Sequence, residues 1–259
     1  MRAMWIGTET ARKFSLGNEF FDLKEGHVTP PGSLLLRNAE SIYGLWFVTL
    51  QYYPAAMQGE PRLGEVDLGE PDKDGLRSFQ GRAAHGALRI AREWMVVILC
   101  TILEAYVKGI LEFAASCDPA IVDEHSADVT ISASEVLGAS ALDDLKPVVV
   151  RRWASRWLEN RRDPRAWIRG FEEMGVVGFV DGLGDHLEEM LGTRHLMVHN
   201  AGIVDEAYLK RRPGCGLSIG EHRVLSEQEL RDYIGATFEF FAPIEAAFIR
   251  KYVSPSEVA

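Results

Sequence analysis

The sequence predicts an all-α protein built as a bundle of helices. Between about residues 76 and 115, apolar side chains recur at alternating spacings of four and three residues, which is the period of an amphipathic helix. Ser226 and Glu229 form a capping-box pattern ahead of a closing helix that extends to about Tyr252. A third helical pattern ends at Asn200 and Gly202, residue types that favour a helix stop. We therefore expect helices, and not a sheet, to form the core.

Length and composition are typical of a soluble globular chain. With 259 residues, 47% hydrophobic and 25% charged, the chain is long enough to bury a core. The net charge of −10 argues against a general nucleic-acid coat protein, because such binding depends on neutralising phosphates, so any RNA contact has to be local. The three cysteines fit no metal spacing and favour unpaired thiols in a reducing cytoplasm.

The N-terminus does not resemble a signal peptide, and the most apolar stretch covers only residues 94–103 before Glu104 interrupts it. A helix needs about 20 apolar residues to span a bilayer. We therefore expect a cytoplasmic protein that does not contact a membrane.

Composition divides the chain into an N-terminal extension at residues 1–32, a helical domain at 33–253 and a tail at 254–259. Within the domain, Ser33 can cap a helix that Pro54 stops near Tyr53. Residues 54–76 contain six acidic residues, two basic residues and three prolines, which predict a solvated surface loop. The functional alternative for this loop is an acidic flap over a basic groove.

Glu104 places a carboxylate inside the apolar stripe of the helix at 76–115. Because residues 94–103 are apolar on all sides, we expect this helix at the centre of the bundle, where an unpaired carboxylate is costly. An ion pair with Lys108, four residues on, would satisfy it. Alternatively, Glu104 orients a functional arginine or histidine on another helix. The sequence leaves both interpretations open.

The charge balance reverses between Lys146 and Arg169. This segment contains eight basic residues and two acidic residues, with three tryptophans between them. One interpretation is a solvated helical face whose tryptophans point into the core. The other is an RNA-contacting surface, in which arginines bind phosphates and an exposed aromatic ring stacks on a base. The arginines that we assign to RNA contact are Arg151, Arg152, Arg156, Arg161, Arg162 and Arg165.

Residues 192–205 place a permanent cation, two imidazoles and an amide close together: Arg194, His195, His199 and Asn200. Cations at a helix C-terminus can simply complement the partial negative charge of the last carbonyls. The functional interpretation is a phosphate-handling site, with arginine as the fixed charge and histidine as the proton carrier.

The arrangement Arg-polar-x3-His-Asn, followed by Gly-Ile-Val-Asp at 202–205, resembles the HEPN superfamily, which comprises small helical-bundle ribonucleases common among bacterial toxins and antiviral systems. The resemblance is specific over residues 194–209, and Glu104-Ala105-Tyr106 looks like the acidic context on a second helix of such proteins. It implies a HEPN-like bundle with metal-independent endoribonuclease activity. It also implies a homodimer whose two motifs converge into one composite site, and an antitoxin or regulatory protein as a further partner.

These residues suit RNA cleavage by the 2′-hydroxyl, which needs a base, an acid and a charge stabiliser. Arg194 would hold the phosphoryl oxygens and His199 would act as base or acid. His195 either takes a secondary proton or phosphate role or lies at the surface. Asn200 either caps the helix or fixes the tautomer of His199.

We expect no cofactor and no metal. His195 and His199 stand four residues apart on one helix face, but no cysteine or carboxylate at the usual spacing completes a closed site. The alternatives to a nuclease are a noncatalytic HEPN-type module that binds RNA, nucleotide or a protein, and an unrelated helical protein in which the motif is only a helix end.

Overall fold

The computed structural model describes residues 15–16, 19–20, 29–32, 73–124 and 129–252. In these ranges the fold is all-α, as predicted, apart from a two-residue antiparallel pair of β1 (Ser15–Leu16) and β2 (Glu19–Phe20). The helices are α1 (Lys73–Cys117), α2 (Ala120–Glu124), α3 (Ala133–Gly138), α4 (Lys146–Asn160), α5 (Pro164–Glu173), α6 (Leu183–His199), α7 (Glu206–Arg211) and α8 (Glu227–Tyr252). A short 3-10 helix covers Leu142–Asp144. Most of the predicted extension, the predicted helix at 33–53, the loop at 54–72 and the tail lie outside the described residues.

The predicted helix boundaries agree with the structure where local capping determines them. The backbone N–H of Ser226 donates to Glu229 Oε2 at 2.8 Å and the N–H of Glu229 donates to Ser226 Oγ at 3.1 Å, which confirms the capping box before α8. Ser132 caps α3, with Glu135 at the reciprocal position of a second capping box. α1 begins at Lys73, so residues 73–76 of the predicted acidic loop are helical.

The chain forms two compact units. Among the described residues, the first unit comprises residues 15–16, 19–20, 29–32, 101–124, 129–188 and 233–252, and the second comprises residues 73–100 and 189–232. Three helices, α1, α6 and α8, contribute residues to both units. The candidate motif after residue 189 therefore belongs to the second unit, and the basic segment at 146–169 belongs to the first.

Aromatic side chains form much of the core of the first unit. Trp153, Trp157 and Trp167 are buried, which confirms that they pack inward and provide no exposed stacking surface. The ring of Phe171 contacts that of Trp157 at a centroid distance of 5.4 Å and that of Phe240 at 5.8 Å. Four aromatic side chains of α8 are likewise buried: Tyr233, Phe238, Phe241 and Phe248.

α1 is buried on one face only in the second unit. Met95, Val96, Leu99 and Cys100 are buried, as a core face requires. Ile90, Trp94 and Ile98, spaced by four residues, are 47%, 61% and 37% exposed. The apolar composition of residues 94–103 on all sides therefore does not correspond to burial on all sides, because composition does not by itself show which faces have neighbours.

Residues 89–117 of α1 are long and apolar enough to cross a membrane by length and composition, with a mean hydropathy of 1.8. Half of this apolar window is buried within the protein, and the core helix of a soluble protein passes the same test.

Glu245 on α8 is a buried carboxylate that binds the N-terminal segment of the first unit. It is only 2% exposed, and it accepts hydrogen bonds from the Thr29 N–H at 2.8 Å, the Thr29 hydroxyl at 2.7 Å and the Tyr106 hydroxyl at 2.9 Å. A Cβ atom at Gly32 would lie 2.6 Å from the Glu245 carboxyl carbon, so the segment approaches this closely only because residue 32 is glycine. Burial raises the pKa of Glu245, although the hydrogen bonds from Thr29 and Tyr106 act against this shift.

The raised pKa of Glu245 predicts a pH-dependent contribution to the free energy of unfolding. The Glu245 carboxyl binds its proton more tightly in the folded chain than in the unfolded chain. The stability that this proton contributes is therefore present below the unfolded pKa of about 4.3 and is lost as the pH rises through the folded pKa. Glu245→Gln does not titrate. Urea unfolding between about pH 4 and pH 8 should therefore give a parent-minus-variant free-energy difference that declines with rising pH.

Glu172→Gln, which changes an exposed glutamate of the same unit, provides the control. If the Glu245→Gln difference stayed constant across this pH range, the folded chain would hold the proton no more tightly than the unfolded chain.

Candidate functional site

The motif helix α6 ends in a tight turn whose path is fixed by backbone geometry. The N–H groups of Asn200 and Gly202 both donate to the carbonyl of Leu196, each at 2.9 Å. Ala201 has a φ of 49° and Gly202 a φ of 77°, and Ala201 is the one non-glycine residue with positive φ in the described chain. A Cβ atom at Gly202 would lie 2.8 Å from the His222 ring, so glycine is required there for both conformation and space.

Asn200 closes this turn with its side chain. Its side-chain Nδ2 atom donates to the Ile203 carbonyl at 2.5 Å, and the backbone carbonyl of Asn200 accepts from the Ile203 N–H at 2.8 Å. These two bonds agree with the interpretation in which Asn200 caps the helix. In the described part of the chain, its amide forms no hydrogen bond with His199, which a role in fixing the tautomer would require.

The backbone after the turn pairs with the segment before α8. The Val204 N–H donates to the Glu221 carbonyl at 2.8 Å, and the Arg223 N–H donates to the Gly202 carbonyl at 2.8 Å. This pairing places residues 202–204 beside residues 220–223. The turn is thereby anchored to a second strand-like segment.

The remaining residues of the Gly-Ile-Val-Asp string also have structural roles. Val204 packs in a small core with Leu196 and Tyr208. Asp205 Oδ1 accepts a hydrogen bond from the Tyr208 N–H at 2.7 Å and so caps α7. Part of the string on which the resemblance depends is therefore explained by folding.

His195 and His199 lie side by side at the exposed end of α6. They are one helical turn apart, with ring centroids separated by 4.7 Å and ring planes inclined at 46°. Both side chains are exposed, and neither imidazole forms a hydrogen bond within the described ranges. Their ring nitrogens are therefore open to a substrate or ligand.

Arg194 and Glu104 are both partly buried, and each takes part in an interaction within the protein. Lys108, the intrahelical candidate partner of Glu104, forms no ion pair among the described side chains, so the Glu104–Lys108 pair is not what satisfies this carboxylate. The orienting role of Glu104 stays a prediction.

A buried arginine, which the sequence did not indicate, connects the motif helix α6 to α7 and α8. The Arg223 side chain is 7% exposed; its Nη2 atom lies 2.5 Å from Glu229 Oε1 and 3.6 Å from Glu189 Oε1, and its Nε donates to the Tyr208 hydroxyl at 3.2 Å. Glu189, on α6, also pairs with Arg212. The sequence showed Glu229 only as half of a capping box, so nothing local indicated its second partner.

Four of the six arginines assigned to RNA contact form ion pairs in the first unit. The pairs are Arg152–Glu135, Arg156–Glu159, Arg161–Glu173 and Arg165 with Asp185 and Glu188. An open cavity of about 250 Å³ lies over Arg152 and Arg156. Arg151 and Arg162 are exposed and, among the residues that the structure describes, have no carboxylate partner. RNA contact by this segment stays a prediction. In it, Arg151 and Arg162 bind phosphate without a neighbouring carboxylate that competes for the guanidinium.

No family model, curated protein or solved structure matches the chain. The HEPN resemblance accordingly depends on residues 194–209 and 104–106 alone.

Replacing the buried arginine by Arg223→Met should lower the free energy of unfolding by about 3 kcal/mol, because it leaves two partly buried carboxylates without this cation. Lys210→Met is the matched control, since Lys210 pairs with Glu206 at 3.1 Å on an exposed helix face. That change should cost about 0.5 kcal/mol or less. Urea unfolding of both variants measures the difference; equal losses would show that the Arg223 cluster does not anchor the second unit.

Proposed function

We propose that this protein is a cytoplasmic, metal-independent endoribonuclease that cleaves RNA by attack of a 2′-hydroxyl on the adjacent phosphate. The observation that carries the proposal is the pair of exposed imidazoles, His195 and His199, with open ring nitrogens in the helix end that also contains Arg194. A neutral imidazole takes a proton near physiological pH and an imidazolium gives one up. The HEPN resemblance supports RNA as the substrate and a toxin or antiviral effector as the biological class.

In the proposed reaction, one imidazole accepts the proton of the 2′-hydroxyl while the oxygen forms a bond to phosphorus. Arg194 stabilises the charge on the phosphoryl oxygens. A protonated imidazole gives its proton to the 5′-oxygen as the bond between phosphorus and that oxygen breaks. The products are a 2′,3′-cyclic phosphate and a 5′-hydroxyl, and no metal enters the balance.

With His199 as the proton carrier of each chain, and His195 in a secondary role at most, one chain cannot supply both base and acid in the same step. The proposal therefore includes a homodimer in which the motifs of two chains converge, as the resemblance implies. A twofold interface brings identical surfaces together, so the helix end that carries His199 can face its own copy. The exposure of His195 and His199 supports this part, since a buried motif would be out of reach of a second chain.

A noncatalytic module that binds a protein partner is the second candidate. Two observations favour it: the exposed apolar row of Ile90, Trp94 and Ile98, and the carboxylates that neutralise most of the arginines assigned to RNA. An exposed apolar row suits a protein surface better than a polyanion. For such a module, the partner would be an antitoxin or another regulatory protein.

The testing experiment is cleavage of an end-labelled structured RNA in excess EDTA by the parent protein, by His199→Ala and by His186→Ala. His186 is the matched control, because it is an exposed histidine on the same helix but outside the motif. Loss of a general acid or base should slow cleavage by about 100-fold or more. We expect this loss in His199→Ala, no loss in His186→Ala, and a 2′,3′-cyclic phosphate on the parent's products.

Equal cutting by the parent and His199→Ala would remove His199 from the mechanism and point to a contaminating nuclease. Absence of cutting by every variant, together with retained folding by circular dichroism, would favour the binding module.

A further inference from the structure

We infer that His195 and His199 form a two-histidine binding site for one divalent transition-metal ion of the Zn²⁺ or Cu²⁺ class. The two imidazoles are one turn apart on α6, their centroids are 4.7 Å apart, and both are exposed. This site does not depend on the nuclease activity, although its effect on that activity does.

The geometry suits chelation by two neighbouring side chains. Residues four apart on a helix share one face, and a zinc ion accepts imidazole nitrogens at about 2.0–2.1 Å. Rings with centroids 4.7 Å apart can each direct one nitrogen at a shared ion after small side-chain rotations. These rotations break no hydrogen bond, because neither ring forms one in the described part of the chain.

The chemistry of the donors selects the class of ion. Imidazole nitrogen binds zinc, copper and nickel, whereas magnesium and calcium require oxygen ligands. In a single chain, the described residues contain no group of three or more histidine, cysteine or acidic side chains that could hold an ion, so the two imidazoles are the ligands found there and water takes the positions that they leave. The site is therefore open and exchangeable, unlike a structural zinc site.

The consequence for the proposed nuclease is inhibition. A metal ion bound to the ring nitrogens of His195 and His199 occupies the lone pairs that a proton would use, so metal binding and proton transfer exclude each other. This part of the inference rests on the proposed function. It predicts that the enzyme is most active in the presence of a chelator.

The first test is a calorimetric titration of ZnCl₂ into the untagged full chain and into His195→Ala, His199→Ala and His186→Ala. The parent and His186→Ala should show the same tightest zinc-binding component. Either motif variant should weaken that component by about tenfold or more, since even changes to groups behind the metal ligands cost that much. MgCl₂ should give no such component.

Zinc binding in His195→Ala equal to that of the parent would overturn the site, as would loss of the component in His186→Ala. Both motif histidines are exposed, so these variants are expected to fold, and circular dichroism checks this.

The second test compares RNA cleavage by the parent in EDTA and in saturating Zn²⁺, with His186→Ala as control. Cleavage should fall at the zinc concentration at which calorimetry shows the site filling. Zinc binding without loss of cleavage would overturn the inhibitory role and leave the nuclease intact. Zinc binding by a protein that never cleaves RNA would support the site, whereas the inhibitory role would fall together with the proposed function.

Discussion

The second unit depends on one buried cation, the guanidinium of Arg223. Its side chain is 7% exposed and it lies between carboxylates from the motif helix and from the start of α8, while its Nε bonds to a tyrosine on α7. Removing a charge from water costs several kcal/mol, so this position is stable only while Glu189 and Glu229 remain in place. Three helices are thereby fixed to one point, and the end of α6 is fixed with them.

The two histidines at the end of α6 lie on a hydrogen-bonded turn but form no hydrogen bonds of their own among the described residues. The turn after His199 is determined by left-handed backbone at Ala201 and Gly202, by the Asn200 cap and by the pairing of Gly202 with Arg223. The imidazoles themselves form no hydrogen bonds in the residues described. A fixed backbone that carries these side chains suits both proton transfer and metal binding, because it positions the ring nitrogens and leaves them without a hydrogen-bond partner in the described residues.

Helices and caps could be predicted from the sequence because their causes are local. Periodicity located α1, and the capping box located the start of α8, whose reciprocal Ser226–Glu229 bonds involve residues only three apart. The exposed face of α1 could not be predicted, because exposure depends on which distant segments pack nearby. The same applies to Arg152, whose carboxylate partner Glu135 lies 17 residues away, and to Arg223, whose partners come from three elements. Charge counting therefore overstated the basic surface.

Under the proposed function the attacking group is a 2′-hydroxyl activated at His199, and an RNA with one altered nucleotide tests this. The substrate is an intact RNA with a known cleavage site, in which only the nucleotide 5′ to that site carries 2′-deoxyribose. It is incubated with the parent protein in EDTA. We expect cleavage to stop at that position and to continue at unmodified ones, because the nucleophile has been removed. Cleavage of the modified position at the original rate would contradict it and would require water as the nucleophile.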